Sequence, residues 1–303
     1  MEEGKYCANV YFLEGFMEIS LGDIIQSDAV KKILCHHYIS TDFYTGPDPS
    51  YHRHDAYEIY LFIRGNTKMY VEQSCYQLSS GDCMVILPGQ LHRCIVTDTD
   101  PYERIFINIT EEALRILSSA STDLLARFHP CGENRIIRLS AYNMEQFIAL
   151  TDKYLKISHS SEYGCDLRAV YLLTELILFT NRLFGDPKRR RYDNVMPELV
   201  SSTMKYVEEH LTEDISLTKL SHSLNYSSKY ISVQFKAHTG LSLREYILDQ
   251  RVECAKRLLT SGSSVSEACL CSGFSDYSNF IRSFKKKTGI SPGRFRKEKI
   301  GTK

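Results

Sequence analysis

GFSDYSNFIRSFKKKTGISP, running from Gly273 to Pro292, decides how the C-terminal third of this 303-residue chain folds. Phe280 and Phe284 stand four residues apart, so one face of a helix carries both rings. Tyr277, Ser278, Ile281, Arg282 and Lys285 fall on the other side. The stretch is too polar for a core helix and too regularly spaced for a loop. It reads as a short helix with an aromatic anchor and a basic outer surface.

About fifty residues upstream the pattern recurs. LTKLSHSLNYSSKYISVQFKAHTGLSLREY (Leu217–Tyr246) and VSEACLCSGFSDYSNFIRSFKKKTGISPGRF (Val265–Phe295) align with one residue of slip in the turn. Phe235-Lys236 matches Phe284-Lys285, Thr239-Gly240 matches Thr288-Gly289, and Tyr246 matches Phe295. Each copy has the form of a helix-turn-helix. In the second, Ser264 and Glu267 are spaced as a capping box, Cys269 is small enough for a close helix crossing, and Gly273 supplies the turn. Ser275 or Asp276 can cap the helix that follows. In the first, Ser221 is the small residue and Asn225, tolerant of left-handed backbone, takes the turn. LREYILDQRVECAKRLL between the copies is an amphipathic helix.

The last hundred residues, GFSDYSNFIRSFKKKTGISPGRFR above all, resemble the AraC family of bacterial transcription regulators. The departures are Ser221 and Cys269 where the family usually has Ala, and Asn225 where it usually has Gly. The resemblance implies two helix-turn-helix units held by the connecting helix and reading successive major grooves of duplex DNA. Carried over by position, the first recognition helix presents Lys229, Ser232, Val233 and Lys236. The second presents Tyr277, Ser278, Ile281, Arg282 and Lys285. Arg282 suits a bidentate contact to guanine, and Val233 and Ile281 suit thymine methyls. The lysines suit phosphates, which position the protein without reading sequence. Ile231, Phe235, Phe280 and Phe284 are the expected buried anchors. The same resemblance implies contact with RNA polymerase, activation rather than repression, and assembly as a homodimer.

The N-terminal part reads differently. YEIYLFIRG, KMYVEQ, YQLSSGDCMVILPGQ and ERIFINIT are short, β-branched and aromatic, and broken by Gly, Pro and Asp, as strands are. YHRHDAYEIYLFIRG fits H-x-H-x3-E-x6-G with His52, His54, Glu58 and Gly65, and GDCMVILPGQLH adds Gly81, Pro88 and His92. These segments resemble the two segments of a cupin, a small β-barrel that many AraC-like regulators carry N-terminally. Gly89 follows Pro88 directly, which departs from the metal-binding cupins. In a regular strand His52, His54, Glu58, Tyr60 and Phe62 share one face. Inward polar groups need partners. Three readings stay open. A polar metabolite, a sugar for example, could meet His52, His54, Glu58, Tyr60 and His92. A metal could sit on His52, His54, Glu58 and His92. The side chains could also satisfy one another. The reading adopted is a small polar effector with no resident cofactor. The rival is a metal-dependent cupin enzyme fused to a DNA-binding module.

The expected architecture is thus α+β and multidomain: a cupin-like barrel over residues 1–110, a helical dimerisation segment over 111–185, a linker over 186–196 and an all-α double helix-turn-helix over 197–303. The segment DLRAVYLLTELILFTNRLFG carries Val170, Tyr171, Thr174, Ile177, Leu178 and Asn181 at three- and four-residue spacing, the material for a homodimer seam. GDPKRRRYDNVMP, with four consecutive basic residues, reads as the linker. Net charge is zero overall, but residues 197–303 hold 17 Lys/Arg against 11 Asp/Glu, and the rest holds 20 against 26. A basic end on an acidic body places nucleic acid at one end only. Ten cysteines in a chain this long, with no C-x-x-C and no signal peptide in MEEGKYCANVYF, read as reduced cytoplasmic thiols. No apolar run is long enough to span a bilayer, so no membrane partner is expected.

Overall fold

The computed structural model describes residues 21–40, 51–96, 101–128, 136–185 and 193–300. The opening MEEGKYCANVYF and the basic run Lys188–Arg191 of the linker lie outside them.

Two short helices, α1 (Leu21–Gln26) and α2 (Asp28–Lys31), lead into β1 (Leu34–Ser40). Then follow β2 (Tyr57–Arg64), β3 (Thr67–Val71), β4 (Ser74–Gln77), β5 (Asp82–Ile86), β6 (His92–Val96) and β7 (Tyr102–Ile109). Helix α3 (Glu111–Leu117) and strand β8 (Ile136–Arg138) precede the long helices α4 (Ala141–Ser158) and α5 (Cys165–Gly185). The strands form two antiparallel sheets, in the orders β1-β7-β2-β5-β8 and β4-β3-β6.

Strand β2 shows why this half packs in layers. Six consecutive residues, Tyr57 to Phe62, are buried, so both faces of the strand are covered. Tyr57, Ile59 and Leu61 join Ile105, Ile107 and Ile109 of β7 in a core shared with α3, α4 and α5. Tyr60 and Phe62 belong instead to the core between the two sheets, with Met69, Tyr76, Met84 and Tyr102. The period of two thus sorts one strand between a helix-facing layer and the barrel interior.

Helix α5 packs along α4 and onto this sheet, burying Leu173, Leu176, Ile177, Thr180, Asn181 and Phe184. This corrects the expected seam at two positions. Ile177 is fully buried inside the protomer, and Asn181 Nδ2 donates to the Leu124 carbonyl at 2.9 Å. The stripe that reads as surplus apolar surface is largely the sheet's own cover.

The C-terminal half is all helix: α6 (Glu198–Glu209), α7 (Leu217–Leu224), α8 (Ser228–Thr239), α9 (Leu243–Thr260), α10 (Val265–Cys271), α11 (Tyr277–Thr288) and α12 (Pro292–Ile300). Helices α7–α8 and α10–α11 are the two helix-turn-helix units, with α9 between them. Each unit has its own core. Ile231 and Phe235 pack with Val200, Met204, Leu220 and Tyr246, while Phe280 and Phe284 pack with Val252, Leu259, Phe274 and Phe295. The first of these cores does not stop at the half's boundary, for it takes in Tyr51, Tyr70, Cys75 and Leu91 of the sheet half. Among the described helices, none is long and apolar enough to cross a membrane.

A candidate DNA interface and a candidate effector site

Both recognition helices are set by local chemistry. Asn225 ends α7 in the left-handed region at φ 58°, and Ser227 caps α8 by accepting from the Tyr230 amide at 3.2 Å. In the second unit Gly273 makes the turn at φ +85°, and a Cβ there would come within 2.3 Å of the Leu211 carbonyl oxygen. Of the two capping candidates for α11 it is Asp276 that accepts from the Asn279 amide, at 2.5 Å. Ser264 and Glu267 form the full capping box on α10.

The departures Ser221 and Cys269 turn out to be equivalent in use. The Ser221 hydroxyl donates to the Tyr226 carbonyl at 2.6 Å, and the Cys269 thiol to the Phe274 carbonyl at 3.9 Å, five residues on in each case. A small polar atom therefore stitches each turn where alanine offers nothing. Both α8 and α11 end alike: Thr239 and Thr288 donate back to Phe235 and Phe284, and Gly240 and Gly289 follow in the left-handed region.

With Ile231, Phe235, Phe280 and Phe284 buried beneath them, the opposite faces of α8 and α11 are open. Lys229, Val233 and Lys236 on α8 are exposed, as are Tyr277, Ser278, Arg282 and Lys285 on α11. Ser232 and Ile281 are half-buried, and Ile281 leans on the second core. The apolar Tyr230 at 47% exposure joins this surface and was not among the residues read from the sequence.

In the sheet half, His52, His54, Glu58 and His92 converge although only Glu58 and His92 lie in strands. His52 pairs with His92 in an isolated antiparallel bridge, their amides and carbonyls exchanging hydrogen bonds at 3.0 and 2.9 Å. The expected regular strand from His52 to Phe62 is interrupted, since β2 begins at Tyr57. The ligand-type atoms of His52, His54 and His92 nevertheless lie within 4.8 Å of one another. His54 Nδ1 donates to the Ala56 carbonyl and His92 Nδ1 to the Gln90 carbonyl, both at 2.9 Å. Carbonyls only accept, so each Nδ1 carries a proton and each Nε2 is turned inward.

Those Nε2 atoms face one carboxylate oxygen. Glu58 Oε2 is 2.9 Å from His54 and 3.4 Å from His92, the second contact lacking hydrogen-bond geometry. Two lone pairs cannot approach this closely without a proton or a cation between them. Burial disfavours a charged His54, but the hydrogen bond and charge of Glu58 outweigh it and raise the ring's pKa. Burial likewise works against the Glu58 carboxylate, but the hydrogen bond from His54 and the nearby His92 ring bring its pKa down to about 2. Inward-aimed Nε2 atoms with carbonyl-anchored Nδ1 atoms are also what a divalent ion needs.

Beside this cluster lies a cavity of about 110 Å3 whose walls include His52, Glu58, Tyr60, His92, Tyr102 and Arg104. The Tyr60 and Tyr102 hydroxyls meet at 2.8 Å, with Cys94 Sγ 3.4 and 3.2 Å away. Tyr102 and Arg104 escaped the sequence reading. The signal was present in the alternation of YERIFINI, where Ile105, Ile107 and Ile109 go to the helices and Tyr102, Arg104 and Phe106 go inward.

Comparison with known proteins finds matches for both halves of the chain. Residues 36–177 match the model of the AraC-like ligand binding domain, and residues 220–298 match a helix-turn-helix domain model. The chain belongs to the AraC family of DNA-binding transcription regulators with a ligand-binding domain. It is 26% identical over 247 residues to the Msm operon regulatory protein of Streptococcus mutans, covering 80% of this chain and 85% of that one. It is also 26% identical over 258 residues to the "Probable transcriptional regulator LumQ" of Photobacterium leiognathi, covering 81% and 91%. Among solved structures, ToxT of Vibrio cholerae aligns with 87% of this chain and 97% of its own at 13% identity and a TM-score of 0.35.

Proposed function

We propose that this regulator reads an operator through α8 and α11 and that a small effector in the barrel controls its grip on DNA. Lys229, Ser232, Val233, Lys236, Tyr277, Ser278, Ile281, Arg282 and Lys285 form the DNA surface in this reading. His52, His54, Glu58, Tyr60 and His92 form the effector end. Activation and contact with RNA polymerase follow from the family resemblance, as does a cytoplasmic location. The homodimer is kept, with its seam moved to the exposed Leu167 and Tyr171 on the first turns of α5.

One observation carries the control. From Tyr51 to Asp55 the side chains alternate between two tasks. His52 and His54 turn to the candidate site, whereas Tyr51, Arg53 and Asp55 reach the DNA-binding half. Tyr51 shares a core with Tyr246, Arg53 Nη1 lies 3.9 Å from Glu253 Oε2, and Asp55 Oδ1 accepts from Lys256 Nζ at 3.0 Å. Val252 to Lys256 belong to α9, the helix that spaces the two recognition helices. A ligand that shifts His52 or His54 therefore pulls on the segment that holds α9.

The test is DNA binding by anisotropy on an operator selected from genomic fragments. Arg282→Ala is expected to cost ~1–3 kcal/mol and relax base preference, whereas Lys285→Ala weakens all sequences alike and lowers the salt slope by about 1. An Arg282→Ala protein with unchanged affinity and preference sinks the assigned face of α11.

The histidine tautomers favour a second reading of the barrel, in which His52, His54, His92 and Glu58 hold a divalent ion. Three nitrogens and one carboxylate suit zinc, iron or manganese, and such an ion offers Lewis-acid chemistry when bound. Metal analysis of the protein from its own cell decides between the two. A stoichiometric ion favours this arrangement and makes the enzyme rival worth assaying.

A further inference from the structure

Among the described residues, Arg104 has no carboxylate within ion-pair distance. It stands in β7 opposite Phe62 of β2 and lines the barrel cavity. Its guanidinium carbon lies 5.7, 5.8, 5.5 and 5.2 Å from the ring centroids of Tyr38, Tyr60, Tyr102 and Phe106. Among the described residues it makes no hydrogen bond and no ion pair, and its Nε is closed off from solvent. The rings attract the cation, but they do not replace the in-plane acceptors that its five N–H bonds require. Arginine cannot escape by losing its proton. A half-buried guanidinium whose Nε is closed off without an acceptor is costly, so a fold that keeps one has a use for it.

The acceptors are not supplied by the wall. Glu58, the carboxylate of the same cavity, is turned to His54 at 2.9 Å and His92 at 3.4 Å. The Tyr60 and Tyr102 hydroxyls bond to each other beside the guanidinium and can swing a donor toward a newcomer. The cavity, about 110 Å3, is small beside the ~300–1,000 Å3 of pockets that enclose drug-sized ligands.

We infer that the effector is a small carboxylate, a monoanion whose two oxygens take the edge of the Arg104 guanidinium while its remainder points toward the His52, His92 and Glu58 wall. This rests on the reading of the barrel as the effector site. A planar carboxylate matches the planar fork with two parallel hydrogen bonds. Its single charge answers the single unpaired one. A phosphate dianion brings a second negative charge toward the Glu58 carboxylate and lacks the planar edge that matches the fork.

The experiment uses the full-length protein at pH 7 and constant ionic strength. Thermal unfolding is titrated with acetate, glycolate and lactate, with the corresponding amides, and with inorganic phosphate. The expected result is a saturable rise in melting temperature with the carboxylates alone. Arg104→Gln weakens that response at least tenfold, and Arg104→Lys, which keeps the charge without the fork, falls between. If Arg104→Gln does not fold, the wild-type comparison and the lysine variant still decide. Equal stabilisation by amides, stabilisation by phosphate alone, or no response to any carboxylate overturns the proposal. Operator affinity measured with the same compounds separates the two ideas. A carboxylate that binds through Arg104 but leaves DNA affinity unchanged keeps the anion site and ends the effector reading. A neutral compound that binds and shifts DNA affinity does the reverse.

Discussion

A single imidazole holds three elements of the sensor half together. His37 on β1 meets Asp152 of α4 through Nδ1 at 2.8 Å and Glu103 of β7 through Nε2 at 3.0 Å. Both nitrogens face carboxylates, so the arrangement is satisfied only by the doubly protonated ring. Burial works against that form, but the hydrogen bonds and charges of Asp152 and Glu103 prevail and the pKa is raised. The folded pKa lies above the unfolded value, so the contribution is complete below about pH 6.5 and fades as pH rises through the folded pKa. It amounts to about 1 kcal/mol or less, because solvent screens the Asp152 side. Melting temperature followed across this range should fall on the alkaline side, and His37→Gln should flatten that slope. Two glycines make a sharper residue-scale contrast. Gly273 and Gly289 both have φ near +80°, but only Gly273 is pressed against backbone, since nothing lies within 4 Å of a Cβ on Gly289. Gly289→Ala should cost ~1 kcal/mol for its backbone conformation alone. Gly273→Ala should cost more than twice as much in urea unfolding, and equal losses would show that the Leu211 segment gives way.

At the scale of elements, α5 is the instructive case. Its spacing announces an apolar stripe but not what lies opposite. Leu173, Leu176 and Ile177 are spent on the sheet, and the residues left over, Leu167 and Tyr171, are 47% and 67% exposed. Ile177→Glu should therefore unfold the sensor half, since it puts a carboxylate into a closed core. Tyr171→Glu should leave circular dichroism unchanged and shift sedimentation from dimer to monomer. A Tyr171→Glu protein that remains dimeric puts the seam on another surface. The recognition helices present the opposite situation. Their aromatic anchors and caps are local, so Phe280, Phe284, Asp276 and Gly273 announce both the helix and its buried face. Val233 and Arg282 are exposed as their position on that face requires.

For the whole molecule, the question is how the halves hold each other. The apolar part of the joint is Tyr51, Tyr70 and Leu91 against Val200, Met204 and Tyr246. Its polar part includes Lys256, which donates to Asp55 at 3.0 Å and Glu253 at 3.1 Å, and Gln73, which donates to Glu208 at 2.6 Å. A Cβ on Gly240 would come within 2.6 Å of Arg93 Nη1, so the end of the first recognition helix abuts the barrel. Lys256→Glu sets three acidic groups together and should loosen the joint, seen as a larger radius of gyration in solution scattering. Adding Asp55→Lys should restore the compact value by reversing the pair. If Lys256→Glu leaves the radius unchanged, the apolar contacts alone hold the halves.

The sequence by itself determined the helical units, their caps and turns, and the inward parity of Glu58, Tyr60 and Phe62, because these depend on spacings of a few residues. It also marked His52, His54 and His92 as a group, although by a regular strand that the chain does not form. The bridge between His52 and His92, forty residues apart, is what assembles them. Arg104 was missed because the alternation of its strand defines two faces without saying which turns inward, and a charged residue looks solvent-facing. Only pairing with β2 and closure by the second sheet turn it inward. Ile177 was misplaced for the complementary reason, since helical periodicity defines a face but not its partner. The core joining Tyr51 to Tyr246 left no mark in either segment. Contacts between distant parts of a chain are decided by which surfaces remain uncovered once each half has packed, and that is a property of the tertiary structure alone.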